Sequence, residues 1–133
     1  MLIDFGSASY ISQLEQTEFE GTLLYCPPEF VTARKYHYEE AAVWSLGILL
    51  YDLVTGDIPF NNEQEIVDWQ DDCPLGDEQN LSQDCVKLIR MCLRSDPHRR
   101  IRLQDILKHT WFQDKPDYDE NIVSPFHLNS YDC

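Results

Sequence analysis

The residues that could do chemistry here are mostly carboxylates and hydroxyls in turns. Asp4 sits in the short apolar run Leu2-Ile3-Asp4-Phe5, which could end a strand and is broken by Gly6. Read alone, Asp4 is an exposed turn aspartate. Gly21-Thr22 alone is a turn signal. Ser7, Ser9, Ser12 and Thr17 could accept phosphate, which orders loops by pairing with arginine, but as loop hydroxyls they are solvated. Asp57 and Glu63 alone belong to a solvated acidic face. Five cysteines (Cys26, Cys73, Cys85, Cys92, Cys133) form no C-x-x-C pair and no Cys/His zinc spacing. Their odd number, with Cys85 and Cys92 placed as on one helix face, points to buried free thiols in a reducing compartment.

These groups must be held by a chain of 133 residues with a net charge of −14. That length suits one domain, and 43% hydrophobic with 12% aromatic residues is enough apolar matter for a core. The acidic balance argues against nucleic acid or an anionic membrane as main partner and is equally compatible with a basic peptide partner and with simple solubility. No basic n-region of a secretory signal follows Met1. The longest apolar-rich stretch, Ala41 to Val54, contains Ser45, Gly47 and Asp52 and falls short of the roughly 20 residues of a bilayer span. The expectation is a soluble chain, cytoplasmic or nuclear.

Helices dominate the pattern. Pro27-Pro28 leads into a short helix with Glu29 in its first turn. Residues 39–55 are apolar around the whole helical circumference, which predicts the central buried helix, stopped by Gly56. Asn62 and Glu65 form a capping-box pattern opening a helix through Ile66, Val67 and Trp69. An acidic loop spans 71–79. Ser82 then caps a helix with Cys85, Leu88, Ile89, Cys92 and Leu93 on one face, ended by Pro97. A last helix carries Leu103, Ile106, Leu107 and Trp111 on one face. From Asp114 the chain is acidic and aperiodic and reads as a disordered tail, 114–133.

The order of short motifs is more specific than any one of them. Asp4-Phe5-Gly6 is followed by Gly21-Thr22, Pro27-Pro28-Glu29, Val43-Trp44-Ser45-Leu46-Gly47, Gly56-Asp57-Ile58-Pro59-Phe60, Asp96-Pro97 with Arg100, and His109 two before Trp111. Together these resemble the second half of a eukaryotic protein kinase catalytic domain over about residues 1–113. Ser7-Ala8 after the first motif, Pro27, and the run Ala41 to Asp52 look like the Pim family of serine/threonine kinases. The fold so implied is mainly α, a partial protein-kinase-like fold: the helical C-lobe with its activation segment (4–29), the N-lobe and catalytic loop being absent.

The resemblance implies a role for each motif. Phosphoryl transfer is largely positioning and charge neutralisation, so a carboxylate must hold Mg²⁺ against the phosphates of ATP; Asp4 matches that ligand. Thr22, after Gly21, matches the threonine that supports the catalytic aspartate and lines the pocket beside the substrate hydroxyl. Glu29 matches a glutamate paired with an arginine near the end of the domain, here Arg100, because a partly buried carboxylate needs such a partner. Asp57 and Glu63 match acidic positions that receive arginines of basic protein substrates, a bidentate and directional pairing. Such kinases are expected to be monomers when complete and to adopt the active loop arrangement without loop phosphate.

The departures from the pattern matter equally. Nothing matches the glycine-rich loop, the phosphate-contacting lysine or the H-R-D catalytic loop with its base, so the chain alone should be inactive and its single Asp4 a poor Mg²⁺ site. The long apolar helix should lack cover where upstream helices would pack. Ala42 stands where most kinases place an aspartate, an alanine Pim kinases share. Ile101-Arg102 replace a proline and a capping threonine, at about 1 kcal/mol, so the last helix should fray. Cys26 and Phe30 mark a divergent copy. The competing expectation is a short non-catalytic protein that binds kinase substrates or regulators.

Overall fold

The computed structural model describes Tyr10, residues 14–76 and residues 78–113; the expected strand at 2–5 and the tail from Asp114 lie outside these. The described residues are helical. Helix α1 is Pro28–Ala33, α2 Tyr38–Thr55, α3 Glu63–Asp68, α4 Gln83–Cys92, α5 Leu103–Ile106 and α6 Thr110–Gln113, with short 3₁₀ turns at Leu23–Tyr25, Glu78–Asn80 and Pro97–Arg99. The described residues contain no strand, only one antiparallel bridge between Gln16 and Tyr36. None of their helices is long and apolar enough to cross a membrane.

Helix α2 organises the rest. Glu39 and Glu40 in its first turn suit the positive end of the helix dipole, and the chain leaves it at Gly56, whose N–H donates to the Asp52 carbonyl (2.8 Å). Ala41, Val43, Trp44, Gly47, Ile48 and Tyr51 are buried. The expected burial holds except on one face, the lack of cover also expected of this helix. Ala42, Leu46, Leu49 and Leu53, spaced four, three and four residues apart, form an exposed apolar stripe, with Leu53 74% exposed. No described element lies over that line.

Helix α4 packs across α2 where Gly47 allows it. A Cβ at Gly47 would stand 2.7 Å from Cys92 Cβ and 2.8 Å from Leu93 Cδ2, so only a hydrogen fits. The amphipathic reading of α4 holds: Ser82 Oγ accepts from the Cys85 N–H (3.2 Å), and Cys85, Leu88, Ile89 and Cys92 are buried. Cys26, Cys85 and Cys92 are buried free thiols and Cys73 is exposed. Between the helices Trp44 stacks on Phe60 (ring centroids 5.7 Å apart), which meets Trp69 edge-on (5.5 Å).

Helix boundaries depart from expectation where tertiary hydrogen bonds take over. Asn62 Oδ1 accepts from the Glu65 N–H (3.0 Å), but Glu65 returns to the Asn61 N–H (2.9 Å) rather than to that of Asn62. Helix α3 ends at Asp68 instead of including Trp69, whose Nε1 donates to the Leu93 carbonyl (2.8 Å). Helix α4 stops at Cys92, before Pro97, because the next turn is pulled elsewhere: the Ser95 N–H donates to Asp71 (2.9 Å), and the Arg94 carbonyl accepts from Arg100 (2.8 Å). The single last helix is two pieces, α5 and α6. Arg102 offers α5 no side-chain cap, and the Trp111 N–H donates to His109 Nδ1 (3.2 Å). Ile106 and Trp111 pack inward, whereas Leu103 and Leu107 are exposed.

The acidic loop is stitched to α4. Arg90 donates to both Glu78 oxygens (3.1 and 3.0 Å) and to the Asp71 carbonyl (3.0 Å), while Arg94 donates to the Asp71 carboxylate (3.1 Å). Burial raises the pKa of Asp71, but the Ser95 N–H and Arg94 outweigh it and leave the carboxyl below its ordinary value. A carboxyl so depressed contributes stability that is present above the unfolded-state pKa and is lost as pH falls through the folded one. Asp71→Asn should therefore flatten the acid limb of a stability-against-pH curve and leave its neutral-to-alkaline shape unchanged. Gly47→Ala should lower stability by about 1–3 kcal/mol through overpacking, despite alanine's higher helix propensity, read as a lower urea midpoint.

Candidate functional site

The segment before α1 is anchored at several points. The Gln16 N–H donates to the Tyr36 carbonyl (2.7 Å) and the Tyr36 N–H to that of Gln16 (3.0 Å), while Tyr36 Oη donates to the Glu18 carbonyl (2.8 Å). Phe19, Phe30 and Tyr36 pack ring against ring with centroids 5.4–5.8 Å apart. Gly21 then turns the chain with φ 145°, a conformation open to glycine and strained for any side chain. Thr22 is exposed; its carbonyl accepts from the Tyr25 N–H (2.9 Å) as the 3₁₀ turn begins, and its side chain makes no cap hydrogen bond.

That turn is tied to α2 from below. Ser45 Oγ donates to the Tyr25 carbonyl (2.9 Å), and Tyr25 Oη donates to Asp52 (3.3 Å). Burial first, then the Asp52 carboxylate, push the Tyr25 hydroxyl pKa up, so it stays a donor. Sequence reasoning missed this clamp. Tyr25, Ser45 and Asp52 stand far apart in the chain, and a polar residue on an apolar helix gives no hint of its partner.

Glu29 and Arg100, 71 residues apart, meet in a bidentate pair with Nη1–Oε1 2.7 Å and Nη2–Oε2 2.6 Å. The guanidinium also donates to the carbonyls of Arg94 (2.8 Å), Glu40 (3.0 Å) and Ser95 (3.4 Å) and lies over the Trp44 ring, 5.1 Å from its centroid. The Arg100 side chain is 1% exposed. The pair thus joins α1, α2 and the turn after α4.

The two other acidic candidates stand apart in role. Asp57 is exposed, and its Oδ1 accepts from the Ile58 N–H (2.8 Å), closing a local turn. Glu63, half-buried in the first turn of α3, has no salt bridge among the described residues. Burial first, then the negative charge of Glu63, push the Cys26 thiol up to about 11, which keeps that cysteine a neutral core residue. Thr17 is exposed; Asp4, Ser7, Ser9 and Ser12 lie outside the described residues. Among the described residues no group of three or more His, Cys, Asp and Glu side chains is placed to hold a metal ion.

Removing one partner of a buried, hydrogen-bonded ion pair strands the other. Glu29→Ala and Arg100→Ala should each cost about 3–5 kcal/mol, read as a lower melting temperature and urea midpoint. Arg100→Lys should recover little, because an ammonium cannot make the fork or serve all five acceptors.

The whole of this arrangement falls within a match to the protein kinase domain, over residues 1–112. The chain is 42% identical over 113 residues to the serine/threonine-protein kinase pim-2 of Danio rerio, covering 85% of this chain and 35% of that one. It is 44% identical over 110 residues to the serine/threonine-protein kinase prk-2 of Caenorhabditis elegans, covering 83% and 25%. It is 39% identical over 113 residues to the serine/threonine-protein kinase ppk6 of Schizosaccharomyces pombe, covering 85% and 14%. The chain thus spans about a third or less of the length of these relatives. With its motif order, its helical architecture and this match, the chain belongs to the protein kinase domain family and is similar, within it, to the Pim serine/threonine kinases.

Proposed function

We propose that this chain is the peptide platform of a Pim-like serine/threonine kinase, the helical C-lobe with its activation segment at 4–29, and that it is inactive by itself. The observation that carries the reading is the anchoring of the Gly21–Glu29 segment: its Tyr25 end is bonded to α2 and its Glu29 end to Arg100. That clamping supports an exposed Thr22, and a Glu63 without a salt bridge among the described residues, as fixed features against which a substrate hydroxyl and an arginine can be aligned. In a complete domain with ATP and Mg²⁺, the γ-phosphate would pass to a serine or threonine of an arginine-rich protein. ATP and Mg²⁺ supply the transferable phosphoryl group and its charge neutralisation, and Asp4 is the residue proposed to hold the metal. This chain's own part is to hold the peptide: Gly21 and Thr22 beside the acceptor hydroxyl, Asp57 and Glu63 for guanidinium groups.

The exposed stripe on α2 favours this reading, since an apolar helix face of that length is stable where another segment covers it. A second reading, a non-catalytic protein that binds substrates or regulators through the same platform, draws support from the core around Trp44, Ile48, Ile89 and Leu93, which the described residues bury among themselves. Both readings use the same peptide surface and differ in whether phosphoryl transfer accompanies it.

The full chain should bind a fluorescein-labelled arginine-rich peptide in preference to an acidic one, and added salt should weaken that binding. Asp57→Asn and Glu63→Gln should each weaken it by about three- to tenfold, and incubation with Mg²⁺ and radiolabelled ATP should transfer no phosphate to the peptide. Equal affinity for acidic and basic peptides would overturn the platform; phosphate transfer by the chain alone would overturn its inactivity.

A further inference from the structure

Helix α3 turns different residues to its two sides. Glu63 and Val67, four apart, border a cleft with Leu23, Leu24 and Val31 beside Thr22. Glu65 and Trp69, also four apart, line instead a groove of about 580 Å³ between α3, the turn at Pro59-Phe60 and the loop at 73–76. Phe60 and Leu75, each 3% exposed, close its floor, and Pro59, Trp69 and Pro74 supply apolar wall above them. The walls are held in place. Trp69 donates to the Leu93 carbonyl (2.8 Å) and meets Phe60 edge-on, while the Leu75 N–H donates to Glu78 (2.9 Å), itself gripped by Arg90.

Two exposed carboxylates, Glu65 and Asp68, also line the groove. Glu65 accepts from the Asn61 N–H (2.9 Å) and from the amides of Asn61 and Asn62 (3.1 and 2.9 Å), and Asp68 from the Gln64 amide (3.0 Å). Neither has a salt bridge among the described residues. Neutral amides leave both negative charges uncompensated beside a preformed apolar surface.

We propose that this groove docks an arginine-bearing basic segment of a partner protein, with Glu65 and Asp68 receiving guanidinium groups and the apolar wall covering their stems. Arginine alone among the side chains joins a planar cation that fits a carboxylate to an apolar stem that lies on proline and indole surface. A purely apolar segment would strip water from the two carboxylates and give them no cation. A second copy of this chain is the poorer occupant, since each copy carries a net charge of −14, and so are residues 114–133, with five acidic residues against one lysine. The inference does not depend on the platform reading, because Gly21, Thr22, Asp57 and Glu63 do not line the groove.

Cys73 lines the groove and is the exposed cysteine among the described ones, Cys26, Cys85 and Cys92 being buried, so it can report occupancy. The test follows maleimide alkylation of Cys73 by mass spectrometry in a Cys133→Ser chain. The probe is a peptide of two arginines and a leucine among glycines, without serine or threonine. It should slow alkylation saturably relative to the same chain without peptide, and a version with glutamate for arginine should not. In the double variant Glu65→Gln, Asp68→Asn, which keeps the side-chain acceptors and should keep the circular dichroism spectrum, the half-protecting concentration should rise about five- to tenfold. In the double variant Asp57→Asn, Glu63→Gln it should stay unchanged. Alkylation indifferent to millimolar arginine peptide, protection that survives loss of Glu65 and Asp68, or protection that is lost with Asp57 and Glu63 would each overturn the groove assignment.

Discussion

A single guanidinium, that of Arg100, holds together segments that share no local reason to meet. It reaches the Glu29 carboxylate by two hydrogen bonds, takes three backbone carbonyls from Glu40, Arg94 and Ser95, and lies over the ring of Trp44. A charge this far from water is tolerable only because nearly every donor has an acceptor and the counter-charge is bidentate. The constraint runs outward from there. Accepting from Arg100 bends the chain after α4 at Arg94 and Ser95, which ends that helix short of Pro97. Pairing with Glu29 draws α1 onto the N-terminal part of α2. The α1 segment in turn fixes the exit of the turn that carries Leu23 to Tyr25.

The second constraint is the closeness of α2 and α4. A glycine at position 47 lets Cys92 and Leu93 occupy the space a side chain would need, so α2 and the apolar face of α4 pack with almost no gap. The core then extends through Trp44 and Phe60 to Trp69, whose indole N–H is satisfied by the Leu93 carbonyl. The acidic loop is held both by burial of Leu75 in the core and by Arg90 of α4 and Arg94 just beyond it. Ionic stitching of this kind is strongest where the carboxylate is partly shielded, as Asp71 is, and gives that edge of the protein a sensitivity to acid that the apolar core lacks.

Two of the surfaces left open among the described residues bear on this packing. One is the apolar stripe of α2; the other is the cleft beside Thr22. They differ in physical character. The stripe is a continuous helical seam, suited to another helix, and the cleft is short, walled on two sides and edged by a carboxylate. Their positions on α2 and on the turn tied to it mean that the same helix which closes the core also supports the turn beside the cleft.

Much of this was legible in the residues themselves. Helices α1, α2 and α4 follow from proline at a helix start, unbroken apolarity and i, i+3, i+4 spacing, all of which act between neighbours along the chain. The motif order sufficed to identify the kinase resemblance, which the match over residues 1–112 supports. The capping of α3 by Asn62 and of α4 by Ser82 is equally local. Other features had no local cause. The end of α4, the splitting of the last helix at His109, the exit of Trp69 from α3 and the Tyr25–Asp52 clamp each depend on a hydrogen bond to a group whose position only folding sets. The exposed stripe was half-legible: the composition of α2 requires cover on every side, but which face goes without it depends on where α4, α5 and the 3₁₀ turn land. Local sequence thus determined which segments are helical and what each could bury, because propensity and periodicity act over a few residues. The tertiary structure decided where the helices stop, which carboxylates find an arginine and which apolar side chains wall a cleft, because those outcomes depend on distances between segments far apart in the chain.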